Sequence, residues 1–113
     1  MTKTKVLSLT IANGVSLSGA IDLGDLCAVL VVMPVAWTAA NLTFQASHDG
    51  VTYQNVYDGF GVEYSLVAAA ARNVAVPPSD LVGARFIKIR SGTSGTPVNQ
   101  GAARTLYVVA RSL

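Results

Sequence analysis

The chain has 113 residues, 51% of them apolar and only 12% charged, and its formal net charge is +2. That length makes one domain, which at this size buries roughly 60–70% of its unfolded surface and needs no staples. A charged fraction far below the usual ~25% leaves a surface of Ser, Thr, Asn, Gln, Ala and Gly, which repels neighbours poorly and suits assembly, while the small net charge selects no nucleic-acid partner.

In chain order, Leu7, Leu9 and Ile11 alternate with Val6, Ser8 and Thr10, which predicts a first strand with one buried face. Ala12-Asn13-Gly14 reads as a turn, Val15 with Leu17 as a short strand, Ser18-Gly19 as a turn, and Ile21 with Leu23 as another short strand. Leu26–Met33 is apolar on both faces, so it is expected to be a central strand covered on both sides. Its β-branched residues favour a strand over a buried helix, and Pro34 ends it. Leu42, Phe44 and Ala46 alternate with Thr43, Gln45 and Ser47; Asp49-Gly50 then predicts a tight type I′ hairpin returning through Val51–Tyr57.

Val62, Tyr64 and Leu66 form the next alternating run, and Ala68–Ala71 is too short to nucleate a helix. Val74 and Val76 predict a strand closed by Pro77-Pro78. In residues 84–91, Ile87 and Ile89 face inward with Lys88 and Arg90 outward; a polar loop, Ser91–Ala103, precedes a last strand over Thr105–Arg111. About eight or nine short strands with frequent turn signals predict an all-β fold, an antiparallel, jelly-roll-like β-sandwich. One domain over residues 6–113 is expected behind a flexible N-terminal arm, residues 1–5.

No residues are expected to do catalysis or to hold a cofactor or metal. The single cysteine, Cys27, sits in an apolar run and is expected to be a buried small hydrophobe. Ser47-His48-Asp49 has the letters of a hydrolytic triad, but neighbours on a strand point to opposite faces. SGTSGTP, Ser91–Pro97, lacks the Lys and the following helix of a phosphate loop. The carboxylates are scattered, without calcium-loop spacing. The longest apolar run is far short of the ~20 residues that span a bilayer. A soluble protein made in a cytoplasm is therefore expected, with no membrane partner and no specific nucleic acid.

Two stretches, MPVAWTAANLTFQASHDGVTYQNVYD and FIKIRSGTSGTPVNQGAARTLYVVAR, resemble a family of small β-sandwich proteins encoded among the head and tail genes of tailed bacteriophages and prophages. The resemblance implies a virion structural protein, made in the bacterial host cytoplasm. The function expected is a capsid decoration or cement protein, bound to the major capsid protein or other virion proteins as a homo-oligomer. A trimer is favoured, because a quasi-three-fold lattice position offers one closed unit three equivalent contacts. The alternatives are a carbohydrate-binding or host-adhesion module, for which Trp37, Tyr53, Tyr57, Phe60 and Tyr64 could present aromatic faces, and a tail or head–tail-junction role.

Contacts are expected from three places. One is the basic arm, Lys3 and Lys5. Another is the outward side of the strand carrying Phe86, Lys88 and Arg90, since no acidic residue follows Asp80. The third is the polar loop, where Ser94, Asn99 and Gln100 could satisfy a partner's backbone groups.

Overall fold

Side chains that alternate between apolar and polar drive this chain into strands, and the strands fall into two antiparallel sheets. The computed structural model describes residues 3–113. Its elements are β1 (Thr4–Ile11), β2 (Ile21–Asp22), β3 (Cys27–Val32), β4 (Leu42–Ser47), β5 (Gln54–Asn55), β6 (Ser65–Leu66), β7 (Asn73–Ala75), β8 (Phe86–Ser91) and β9 (Arg104–Arg111). No helix occurs among the described residues.

One sheet has the order β1-β9-β3-β7 and the other β2-β8-β4-β5, with β6 also on β4. β5 pairs with the C-terminal half of β4 and β6 with its N-terminal half, so they are two pieces of one interrupted edge strand. Counted that way, each sheet has four strands and the chain crosses between them at every connection except that from β4 to β5 and β6, which is the double Greek key of a jelly roll.

The core lies between the sheets. Leu9, Ile11, Ala28, Val31, Leu106, Val108 and Ala110 meet Ile21, Leu42, Phe44, Leu66, Ile87 and Ile89. Each of the Val, Leu, Ile and Phe side chains contributes about 1.5–3 kcal/mol when fully buried. Phe44 is wholly enclosed, and the Tyr64 ring tilts against it at 5.7 Å. Cys27 is buried as expected, its Sγ donating to the Pro78 carbonyl.

Four expectations need correction. Asp49-Gly50 does not make a type I′ turn, because only Gly50 has a positive φ; the ladder resumes at Gln54 and the connection is held by side chains. Val15 and Leu17 form no regular strand: Leu17 makes one antiparallel bridge, to Arg90 of β8, while the Gly14 N–H donates to the Gln100 carbonyl and the Gln100 N–H to that of Val15, which ties this loop to the far end of the chain. β3 is central in its sheet but covered on one face only, and Val29, Leu30 and Val32 remain half-buried around a bulge between Ala28 and Leu30. β1 begins at Thr4, inside the segment expected to be a free arm. Lys3 is tied to Ser112 by two hydrogen bonds, while Met1 and Thr2 lie outside the described residues. Ala68–Ala71 ends in a left-handed Ala71, φ 56°, whose N–H donates to the Pro34 carbonyl.

Candidate interaction surfaces

Period-two alternation places Thr43, Gln45 and Ser47 of β4 on the outer face of their sheet, opposite Arg90, Lys88 and Phe86 of β8. This is the expected basic contact face, but the segment after β4 folds back over it. Arg90 is only 7% exposed. Its Nη1 donates to Glu63 Oε2 and to Thr43 Oγ1, each at 3.3 Å, and its Nη2 to Asn55 Oδ1 at 2.7 Å. The Glu63 carboxylate also accepts the Ser94 N–H. Lys88 caps the Tyr53 ring at 4.4 Å, and Arg85 lies over the Phe86 ring at 4.9 Å. Gly50 also packs against Phe86, where a Cβ would stand 3.2 Å from the ring. Arg90 is therefore an internal staple, while Lys88 and Phe86 remain half-buried under contacts of the same chain.

The polar loop is likewise turned inward at its most promising residue. Gln100 is 1% exposed. Its Oε1 accepts from the Thr38 N–H and from Arg104 Nε, and its Nε2 donates to the Thr38 carbonyl and Ser91 Oγ. All its hydrogen-bonding capacity toward a partner is thereby spent within the chain. Ser94 and Asn99 are exposed, as are Lys3 and Lys5. Lys3 and Lys5 sit at the Arg111 end of the β1–β9 pair, while the loop enters at the Arg104 end. The strand length puts about 23 Å between those ends. The expected contact residues do not form one site.

The Ser47-His48-Asp49 segment is a loop clamp. Ser47 Oγ donates to Asp49 Oδ1 and accepts from the Gly50 N–H, and Asp49 Oδ1 accepts from Val51 and Thr52. The Thr52 and Val51 amides, with Ser47, hold the Asp49 carboxyl well below its ordinary range. His48 points into solvent, 4.0 Å from Asp49, and has no hydrogen bond to Ser47. Asp22 is held low by the exposed Arg85 guanidinium beside it and by the Gly24 N–H. No cluster of His, Cys, Asp and Glu able to hold a metal ion occurs among the described residues.

A shallow groove of about 300 Å³ runs between Tyr57, Asp58, Tyr64 and Asp80. The Tyr64 hydroxyl donates to Asp80 at 2.8 Å; burial first, and then this carboxylate, push its pKa upward. At the tip of the neighbouring turn, Phe60 is 95% exposed.

The surface that sequence reasoning missed is the outer face of the β1-β9-β3-β7 sheet. Strand register aligns Val6, Val109, Leu30 and Ala75 in one row and Ser8, Tyr107, Val32 and Asn73 in the next. Both rows are uncharged, and Arg111 lies at one end. The signal was the run of Leu26–Met33, apolar on both faces: its second face serves the surface rather than the core.

No known protein family matches this chain, and no curated protein does. Among solved structures the chain is similar to the SPBc2 prophage-derived protein YomS, with a TM-score of 0.61 at 14% identity, over 99% of this chain and 97% of that chain. At that identity the likeness is one of fold, and it runs from end to end.

Proposed function

We propose that this chain is a non-catalytic structural component of a tailed-phage particle, most simply a decoration or cement protein held on the head surface as an oligomer. The observation that carries this is the end-to-end likeness of the whole jelly roll to a prophage-derived protein. Jelly rolls are widely used as capsid domains. The weakly charged surface and the outer sheet face, with its apolar row Val6, Val109, Leu30 and Ala75, favour packing against neighbouring subunits. The partners are the major capsid protein or other virion proteins, and a tail or head–tail-junction position is the next choice.

Mass spectrometry of purified particles is the test. A copy number comparable to that of the major capsid protein supports the head assignment. Six or twelve copies would move the chain to the neck, and absence from the particle would overturn the proposal. A second function, carbohydrate binding in host adhesion, draws on the Tyr57–Asp80 groove, which pairs aromatic rings with carboxylates. A glycan array with no signal removes it.

A further inference from the structure

β1 is an eight-residue edge strand, and among the described residues no strand pairs with its open side. Two hydrogen bonds establish which of its residues face that side. The Ser112 N–H donates to the Lys3 carbonyl, and the Met33 N–H donates to the Arg72 carbonyl. The first shows that odd-numbered residues of β1 bond β9; the second propagates through the β3–β9 register to the same parity. The backbone N–H and C=O groups of Thr4, Val6, Ser8 and Thr10 therefore point outward, and none has a partner among the described residues. The usual protections of an edge are missing. β1 has no proline and no bulge, and Lys5 is its only charged residue.

We infer that β1 pairs antiparallel with β1 of a second copy about a two-fold axis at Leu7, joining two sheets into one. Only registers that match even residue to even residue use the outward groups, and the one centred on Leu7 uses all of them. Thr4 meets the partner's Thr10 and Val6 meets the partner's Ser8, each pair exchanging two hydrogen bonds. The side chains suit a copy of the same strand. The outer-face positions Thr4, Val6, Ser8 and Thr10 are uncharged, and Lys5 falls opposite the partner's Leu9, so like charges are not opposed. The uncharged Val6–Ala75 row then continues across the axis. An isologous contact of this kind closes at two, in place of the trimer expected from lattice symmetry. An edge of about 26 Å buries less than the ~1,200 Å² at which stable interfaces begin, so the pair dissociates on dilution and is reinforced when both copies are held on one surface.

This deepens the assembly proposal by naming a partner surface. The experiment uses the free protein, so its failure leaves the particle assignment standing. Sedimentation velocity on the full chain over a hundredfold concentration range is expected to show a reversible monomer–dimer equilibrium. Ser8→Pro removes an N–H that β9 does not use, so it is expected to leave the unfolding midpoint near that of the parent and abolish the dimer. Leu7→Cys brings two thiols onto the axis at a Cα separation of about 4.5 Å, within disulfide reach. With an added copper–phenanthroline oxidant taking up the two electrons, it is expected to form a covalent dimer. Thr10→Cys places its thiols about 20 Å apart and is expected not to do so. The inference is overturned by a monomer throughout, by a trimer, by a Ser8→Pro variant that dimerises like the parent, or by equal cross-linking of the two cysteine variants.

Discussion

Glu63→Ala asks whether Arg90 is an internal staple or a contact residue. The Arg90 and Glu63 side chains are 9% and 15% exposed and 3.3 Å apart. The substitution removes the carboxylate from Arg90 and the acceptor from the Ser94 N–H. Severing a buried pair usually costs about 3–5 kcal/mol, because a desolvated charge is left behind. Arg90 keeps Asn55 and Thr43, which softens the loss. The expected cost is therefore about 2–4 kcal/mol. At roughly 4 °C per kcal/mol for a domain of this size, the melting midpoint should fall by about 8–16 °C. Urea unfolding should show a lower midpoint at unchanged slope. The double change Glu63→Leu with Arg90→Met keeps volume and removes both charges, and should recover most of the loss. A cost below about 1 kcal/mol for Glu63→Ala would refute the staple.

The other predictions concern the core, one backbone position and acid stability. Phe44→Ala should cost about 3–5 kcal/mol in chemical unfolding, since the ring is fully enclosed; a cost under about 1 kcal/mol would contradict its place in the core. Gly92 has φ +86°, and a Cβ there would stand 2.6 Å from the Thr96 carbonyl oxygen, so Gly92→Ala should lose more than about 2 kcal/mol while Gly59→Ala, in open space, stays near neutral. The Asp49 carboxyl is held below its ordinary 3.8, so its contribution is complete above that pH and is lost as pH falls through the lower folded value. The stability difference between the parent and Asp49→Asn should therefore shrink below pH 3.8, and a gap that stays constant down to about pH 2 would count against the loop clamp.

Local pattern alone determined the fold class and much of the core. Alternation around Phe44, Ile87, Ile89, Leu106, Val108 and Ala110 reports which face of each strand is buried, because side-chain direction repeats every two residues whatever the neighbours. The same pattern located the bend at Asp49-Gly50, although Ser47 and Asp49 side chains, rather than a two-residue turn, close it. Tertiary structure alone decided which strands are neighbours and which faces are covered. Lys3 meets Ser112 across 109 positions, and Arg90 meets Glu63 across 27. Nothing in a short window records such pairs. An outward Arg90 looks the same in sequence whether it faces solvent or a segment folded back over it. The open edge of β1 is likewise a property of strand order, set when β9 took one side of β1 and, among the described residues, no strand took the other. Periodicity encodes burial one strand at a time, while the partners of a strand are chosen by contacts that close only when the whole chain has folded.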